Sequence, residues 1–293
     1  MAMTAAASLG TGRIPATPAA RAFAAEAGIA LSSVAGTGPG GAVRLRDLQA
    51  AAAVKANVEF AAAAEGPAAG RTVAFSGMRR AIAEKMTRSH QQVPAVTLVT
   101  RADVTELASL RERVNAAGGD RLSYTDFVVK AAAAALREHP LVNSVVEGDA
   151  IVMKDEVNIG VAVALEAGLI VPVIRGADRM SLREISAAAR GLAERARAGT
   201  LSPQEYTGGT FTVTNLGMYG ITEFTPIINV PESAILGVGA VEEQLRMGAS
   251  GIESRKIMSL CLTHDHRHID GASAAAFLAG IRSFLENCYS LVG

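Results

Sequence analysis

Apolar and polar residues follow two different periods along this chain, and the pattern becomes regular from residue 71. Short stretches with the two-residue period of strands alternate there with longer stretches that carry apolar residues every three or four positions, as amphipathic helices do. The helical pattern predicts helices over residues 77–89, 104–117, 125–138, 182–198 and 272–285. The strand pattern predicts strands over residues 157–165, 169–174, 210–214, 234–241 and 257–262. With no internal repeat of about 20 to 50 residues, this alternation predicts a mixed α/β sandwich.

Local signals mark the ends of some of these elements. Ser181 and Glu184 have the spacing of a capping box, and Gly199 follows the last periodic residue of the same helix. The turn residues 166–168 separate two alternating stretches and predict a hairpin.

The first 70 residues are organised differently. Residues 1–12 are small and polar, which predicts disorder. Residues 13–51 predict a compact helical module with a glycine-rich turn over residues 36–41 and little apolar surface to bury. The apolar residues expected to form its core are Phe23, Leu31, Val34 and Leu48. Residues 52–70 are rich in alanine and glycine and predict a flexible linker, which leaves residues 71–293 for a larger domain.

Composition excludes several classes of protein. The 293 residues carry a formal net charge of zero, which gives no electrostatic case for nucleic acid. The longest apolar stretches are interrupted by charge before the roughly 20 residues of a transmembrane helix, and the N-terminus lacks a signal-peptide core. Cys261 and Cys288 are too few for a disulfide framework or a zinc ribbon, so a reducing cytoplasm is expected.

Three of the five histidines stand where the last predicted strand gives way to the last predicted helix. His264, His266 and His268 alternate, so on a continuous strand they would share a face and could bind a metal. The alternative is proton transfer, because the ordinary pKa of imidazole lies near neutrality. Asp270 also suits the N-cap position of the helix that follows.

Several motifs in this chain resemble the 2-oxo acid dehydrogenase dihydrolipoamide acyltransferases. In the larger domain the motifs are residues 158–163, 168–175, 209–217 and 265–271, and in the small module they are residues 16–21 and 36–41. The resemblance covers nearly all of the chain outside the linker. It implies an α+β architecture: a chloramphenicol acetyltransferase-like mixed-sheet sandwich over residues 71–293, preceded by a small helical peripheral subunit-binding domain over residues 13–51.

The resemblance also implies a chemistry, the transfer of an acyl group between the thiols of coenzyme A and dihydrolipoamide. It makes His266 the general base and Thr214 the hydroxyl donor to the oxyanion. It makes Asp270 an orienting carboxylate held by an arginine, for which Arg79 is the candidate. Other interpretations stay open at this stage, since Thr214 also favours a strand and Asp270 a helix cap.

Further residues follow from the same motifs. Gly271 and Asn215 are implied as structural support of the site, and the motif from Asn215 to Gly220 favours an acetyl over a succinyl group. Arg21 is implied as a partner-binding residue, although it also suits a solvated position on a helix. Ala42 stands where the family commonly has arginine, which departs from the docking pattern of the small domain.

The family pattern implies a homotrimer with His266 of one chain facing Thr214 of the next, assembled in some members into a 24- or 60-subunit core. Dihydrolipoamide dehydrogenase, a 2-oxo acid decarboxylase or both would dock on residues 13–51. The lipoyl group is expected on a domain absent from these residues. A eukaryotic member would be placed in the mitochondrial matrix or a plastid. Two alternatives remain, a stand-alone CoA-dependent acyltransferase with a non-lipoyl acceptor and a non-catalytic scaffold.

Overall fold

The computed structural model describes residues 14–52, 75, 77–165, 168–248 and 251–292. The chain divides into two compact units, one within residues 1–74 and the other within residues 75–293. The expected disordered segment 1–12 lies outside the described residues, as does the expected linker except for residue 52, which is helical. Within the described ranges, no helix combines the length and the apolar character needed to cross a membrane.

The small unit contains two helices around a very small core. Helix α1 spans Pro18–Glu26, and α2 covers residues 45–52. The Thr17 side chain caps α1 by accepting a hydrogen bond from the Ala20 backbone N–H at 3.3 Å. Fully buried apolar side chains are Ala20, Ala24, Val43 and Leu48. Of the four expected core residues only Leu48 is fully buried, and the other three pack against the cluster while partly exposed.

The helices of the large unit begin and end within a few residues of their predicted limits. They are α3 (Gly77–Gln92), α4 (Thr105–Ala116), α5 (Tyr124–Glu138), α6 (Leu182–Ala198) and α7 (Gly271–Glu286). The capping box is confirmed, because the Ser181 hydroxyl accepts from the Glu184 N–H at 3.3 Å while the Glu184 carboxylate accepts from the Ser181 N–H at 2.7 Å. Gly199 ends α6 with φ of 68°, a conformation that favours glycine.

Six strands of the described large unit form one mixed sheet in the order β1-β10-β9-β8-β4-β7. They are β1 (Ala95–Asp103), β4 (Ile159–Val161), β7 (Val173–Ile174), β8 (Phe211–Asn215), β9 (Ala234–Gly248) and β10 (Gly251–Asp265). Strand β8 runs parallel to both β4 and β9, and the other neighbours are antiparallel. Two separate hairpins pair β2 (Ser144–Glu147) with β3 (Ala150–Met153), and β5 (Val163–Leu165) with β6 (Gly168–Ile170).

The predicted hairpin is confirmed, but each of its two long strands is divided in the structure. β4 and β7 pair inside the main sheet, whereas β5 and β6 pair only with each other. Pro172 stands at the division between β6 and β7, where its carbonyl accepts from the Val161 N–H at 2.8 Å. Because proline has no N–H to donate, the ladder is interrupted at this point.

The two faces of the sheet have different environments. Phe211 and Val213 of β8 are fully buried in the main hydrophobic core, to which α4, α5, α6 and α7 contribute. The alternate residues of the strand, Thr212 and Thr214, must face the opposite side because strand side chains alternate. Lys85 of α3 lines a cavity together with both threonines. The helix layer therefore supports the sheet from one side, and on the other side Thr212 is buried while Thr214 is half-buried.

Candidate active site

The catalytic histidine candidate stands on a short turn between β10 and α7. Strand β10 ends at Asp265, whose N–H donates to the Ser233 carbonyl at 2.9 Å. The next N–H, that of His266, donates to the Pro94 carbonyl at 3.1 Å. These backbone bonds hold the turn, while the residue His266 itself is exposed at the end of the sheet. An accessible imidazole on a fixed backbone is suited to proton exchange with a substrate.

The buried side chain of Asp265 holds this turn in place. Its carboxylate is almost fully buried and accepts hydrogen bonds from the backbone N–H and the Nε of Arg267, each at 3.0 Å. The same contact raises the pKa of the Arg267 guanidinium. A buried carboxylate is stable only when it is paired and hydrogen-bonded, and Arg267 supplies both.

His264 lies behind His266 rather than beside it on one exposed face. It is fully buried, and its ring centroid is 5.6 Å from that of His266. Neither of its ring nitrogens has a hydrogen-bond partner. Burial, and then the nearby His266, lowers the pKa of His264, so this imidazole is neutral near pH 7.

The metal interpretation of the three histidines depended on a continuous strand, and the strand ends before His266. His268 lies in the turn, with its side chain directed at two serines, Ser144 and Ser233. Among the residues that the structure describes, no group of three or more histidine, cysteine, aspartate or glutamate side chains is arranged to hold a metal ion.

Asp270 caps α7, as one interpretation of its position predicted. Its carboxylate accepts from the Ser273 N–H at 2.7 Å, and this bond lowers the pKa of Asp270. Gly271 is the first residue of the helix, with open space where a Cβ would point. The described hydrogen bonds and ion pairs of the single chain do not connect Asp270 with Arg79, which is exposed in the first turn of α3.

Thr214 lies near the carboxyl end of β8 and lines two cavities. The larger, of about 540 Å³, is also lined by Arg121, Arg190 and Arg197. The smaller, of about 420 Å³, has mostly apolar walls, formed among others by Ile82, Met86, Leu169, Phe224, Ile227 and Ile235. Thr214 thus borders both a cationic cavity and an apolar cavity.

Asn215 holds the turn that follows Thr214. Its Nδ2 donates to Thr125 Oγ1 at 2.9 Å, and its Oδ1 accepts from the Gly217 N–H at 2.8 Å. These bonds connect the end of β8 to the start of α5 and fix the backbone that carries the hydroxyl. In the small unit, Arg21 donates from Nη2 to the Ile14 carbonyl at 2.7 Å, so its guanidinium has a role inside that unit.

A buried acid that the sequence does not predict lies on the threonine face of the sheet. Glu232 is 5% exposed and accepts from Thr212 Oγ1 at 2.5 Å and from Asn229 Nδ2 at 2.8 Å. Lys85 donates to the Oδ1 of the same asparagine at 2.5 Å, and burial lowers the pKa of Lys85. Burial also raises the pKa of Glu232 to about 7. A lone glutamate in a loop gives no sequence signal of such burial.

A central mixed sheet backed by helices thus carries a histidine turn at one end and a threonine beside two cavities. The model of the family "2-oxoacid dehydrogenases acyltransferase (catalytic domain)" matches residues 67–292, and that of the "e3 binding domain" matches residues 14–49. The chain belongs to the 2-oxoacid dehydrogenase acyltransferase family. These matches confirm the fold and the family that the sequence motifs indicated.

Relatives and solved structures agree with this assignment. The dihydrolipoyllysine-residue acetyltransferase component of the Bacillus subtilis acetoin cleaving system is 38% identical over 284 residues, covering 96% of this chain and 71% of that protein. For several curated relatives the chain spans only 46% to 71% of their length. A crystal structure of Azotobacter vinelandii dihydrolipoamide acetyltransferase is 36% identical with a TM-score of 0.72, covering 76% of this chain and 94% of that chain. The cubic core of a pyruvate dehydrogenase multienzyme complex is 37% identical with a TM-score of 0.72 over the same shares.

Proposed function

We propose that this chain transfers an acyl group, with acetyl favoured, between the thiols of coenzyme A and dihydrolipoamide within a 2-oxo acid dehydrogenase complex. The observation that carries the proposal is the His266 turn, in which His266 is exposed while hydrogen bonds between Asp265 and Arg267 hold the backbone. A non-catalytic scaffold has no need of such a base. The lipoyl group would arrive on a domain outside these residues.

In the proposed mechanism His266 removes the proton from the attacking thiol. A free thiol has a pKa of about 8.5 and is mostly protonated at pH 7, so a base near neutrality increases the thiolate population. The thiolate attacks the thioester carbonyl, and the Thr214 hydroxyl donates a hydrogen bond to the oxyanion that forms. When the tetrahedral intermediate collapses, the protonated His266 returns the proton to the leaving thiolate. No covalent acyl-enzyme is required.

The spacing of three residues supports these roles. The Azotobacter structure concerns the role of a serine, a histidine and an asparagine in the catalytic mechanism of that enzyme. In the present chain Thr214, His266 and Asp270 have the same separations along the sequence. Threonine keeps the hydroxyl that serine would supply. Aspartate can accept hydrogen bonds as asparagine does but cannot donate one when ionised, so Asp270 would act as an acceptor toward its neighbours.

Thr214 and His266 of one chain are too far apart to act together. Thr214 pairs with Gly237 of β9, and Gly237 pairs with Cys261 of β10, so Thr214 lies level with Cys261 two strands away. Asp265 lies four residues further along β10. At about 3.3 Å per residue and about 4.8 Å between strands, the Cα atoms of Thr214 and Asp265 are about 16 Å apart. An oxyanion donor acts within about 3 Å, so we infer a site built by two chains.

A homotrimer with heterologous contacts would supply one complete site at each of its three boundaries. A larger core of such trimers is supported by the likeness to a cubic core. The same boundary could bring Asp270 of one chain to Arg79 of the next, a contact that is not made within a single chain. The small unit would dock dihydrolipoamide dehydrogenase, a decarboxylase or both, with Arg21 at the contact. Its match to the e3 binding domain supports the first of these partners.

The two cavities at Thr214 suit the two substrates. Coenzyme A carries phosphate groups, for which the arginines of the larger cavity are suitable donors. The lipoyl arm is an aliphatic chain, for which the apolar walls of the smaller cavity are suitable. We therefore assign coenzyme A to the first cavity and dihydrolipoamide to the second.

The first experiment measures acetyl transfer from acetyl-CoA to free dihydrolipoamide. His266→Ala should lower kcat by on the order of 10² to 10⁴, as loss of a general base does. His139→Ala is the control, because this half-buried histidine packs on Phe277 away from the turn and should leave kcat within about twofold. Activity of His266→Ala near wild type would remove His266 from the mechanism. Transfer to another acceptor but not to dihydrolipoamide would favour the stand-alone acyltransferase.

The second experiment tests the shared site. Inactive His266→Ala and Thr214→Ala chains carrying different tags are co-expressed, the two tags are used to check that mixed assemblies form, and the whole unfractionated pool is assayed. With equal random mixing, roughly a quarter of the boundaries pair an intact histidine with an intact threonine, and activity should return to about that fraction. Mixed assemblies without any recovered activity would show that both residues act within one chain.

A further inference from the structure

Behind the His266 turn lies a cluster of buried polar side chains that the proposed mechanism does not use. Nε2 of His268 lies 3.0 Å from Ser233 Oγ and 3.1 Å from Ser144 Oγ, and the two hydroxyl oxygens are 2.9 Å apart. Ser144 is the first residue of β2, and Ser233 immediately precedes β9. His268 thus connects the turn to two other segments of the chain.

The cluster has the residue types of a hydrolytic triad but not its geometry. Both serines are fully buried, so no substrate can reach either hydroxyl. Nδ1 of His268 is 4.0 Å from the Asp265 carboxylate, which is beyond hydrogen-bond distance. That carboxylate is already occupied by Arg267. A nucleophilic role is therefore excluded, and the role that remains is to hold the turn in place.

The hydrogen bonds determine the tautomer of His268. The Ser144 hydroxyl donates its only proton to the Leu141 carbonyl at 2.8 Å, so toward its other neighbours Ser144 can only accept. Nε2 of His268 must then be the donor, because two acceptors cannot share a hydrogen bond. Nδ1 is left as a lone pair, in agreement with its having no hydrogen-bond partner. The ring is a neutral imidazole protonated on Nε2.

We propose that His268 is a positioning residue for His266: its Nε2–H, shared between Ser144 and Ser233, holds the turn so that the His266 ring is presented at the subunit boundary. This inference rests on the proposed function. Three hydrogen bonds connect the turn to distant segments of the chain: the backbone bonds to Pro94 and Ser233 and this side-chain bond. Of these three bonds only the third is made by a residue that follows His266, so it is the one that connects the α7 side of the turn to distant segments of the chain.

The charged groups around His268 agree with a neutral donor. Burial lowers the pKa of His268, against the opposing effect of Asp265 and together with the effect of Arg267. These are the charged groups that face the ring, and they already form an ion pair with each other. A second positive charge at His268 would compete with Arg267 for the same carboxylate. The contact to the serines needs only a donor, so a neutral amide can replace the imidazole.

The test compares two substitutions in the full-length assembled enzyme. His268→Leu keeps much of the side-chain volume but removes the donor, and His268→Gln supplies an amide N–H close to the position of Nε2. We expect His268→Leu to lower kcat by at least about tenfold with KM for acetyl-CoA within about twofold, since positioning of the base affects the chemical step more than binding. His268→Gln should stay within about threefold of the wild-type kcat. His139→Leu, the same change outside the turn, should stay within about twofold.

Two outcomes would overturn the inference. One is a folded His268→Leu enzyme with the wild-type kcat, and the other is a His268→Gln enzyme as impaired as the leucine variant, which would mean that the hydrogen bond is not the relevant contact. If His268→Leu does not fold, Ser233→Ala replaces it, with the buried Ser186→Ala as control. A kcat at least about threefold below that control supports the inference, and an equal kcat overturns it. Failure of the proposed function is distinguishable, because it would appear as an active His266→Ala enzyme.

Discussion

Replacing Glu232 by glutamine should make the stability of the protein less dependent on pH. Glu232 is buried on the threonine face of the sheet, where Thr212 and Asn229 donate to its two carboxyl oxygens. Burial raises the pKa of Glu232 to about 7, while these hydrogen bonds and the charge of Lys85 oppose the rise. Glutamine has nearly the same shape, retains one acceptor oxygen and cannot ionise. The substitution therefore removes the titration while disturbing the packing little.

The magnitude follows from the difference between the two pKa values. The rise from 4.5 to about 7 corresponds to about 3 kcal/mol, at about 1.4 kcal/mol for each pKa unit. Because the pKa is higher in the folded protein than in the unfolded chain, this stabilisation is complete below about pH 4.5. It is lost as the pH rises to about 7, since the folded protein must then hold a buried charge. The free energy of unfolding of Glu232→Gln minus that of the wild type should thus increase by about 3 kcal/mol between pH 4.5 and pH 8.

Urea denaturation followed by far-ultraviolet circular dichroism measures this difference at several pH values and one protein concentration. Titration of all other groups is common to both proteins and cancels in the difference. Glu243→Gln, a change at an exposed position of β9, is the control and should give a difference that is constant with pH. A constant difference for Glu232→Gln as well would show that Glu232 is ionised throughout this range, and the reasoning from burial would be wrong.

Three further predictions concern the site. Thr214→Ala should lower kcat by about 10² to 10³ while Thr214→Ser keeps much of the rate, because the hydroxyl acts on the transition state; a rise in KM alone, measured by steady-state kinetics, would make Thr214 a binding residue. Acetyl-CoA should be a better substrate than isobutyryl- or succinyl-CoA, and a clear preference for succinyl-CoA in the ratio of kcat/KM values would contradict the acetyl assignment. Asp270→Ala should lower the urea midpoint at pH 7, because the substitution removes the helix cap. The loss of stability should become smaller as the pH falls below 4. The Ser273 N–H bond lowers the pKa of Asp270, so protonation at low pH weakens the cap of the wild type too. A urea-midpoint difference that does not change with pH would exclude an ionised cap.

Helices were predicted from the sequence better than strands. The five predicted helices are present because each carries its own periodic apolar face, and α6 also carries Ser181 and Gly199 as local signals at its ends. Strand β1 was not predicted, because it lies at the edge of the sheet and its residues are mostly exposed or half-buried. Strand β9 continues seven residues beyond its predicted end, into a two-stranded ribbon with β10. Its side chains there, such as Leu245 and Met247, are exposed. The sequence therefore has no alternation of buried and exposed positions that would predict a strand.

The candidate site could be located from the sequence, but the arrangement of its side chains could not. The motif around His266 lies on a turn at the end of β10. Because the strand ends at Asp265, the three neighbouring histidines lie in three different environments. His264 is buried, His266 is exposed, and His268 is hydrogen-bonded to serines far away in the sequence. Contacts of this kind depend on which distant segments meet, and neither Ser144 nor Ser233 belongs to a recognisable motif.

The separation of Thr214 from His266 has a consequence for the stability of the enzyme as well as for its mechanism. If each site needs two chains, the active concentration of enzyme depends on the association of chains and not only on their folding. Dilution would then remove activity before it removes secondary structure, because α4 to α7 and the sheet form a complete core within one chain. Within the same chain, Asp265 and Arg267 fix the histidine turn, while His266 itself remains exposed. Each chain folds around its own hydrophobic core, and the proposed mechanism requires a second chain.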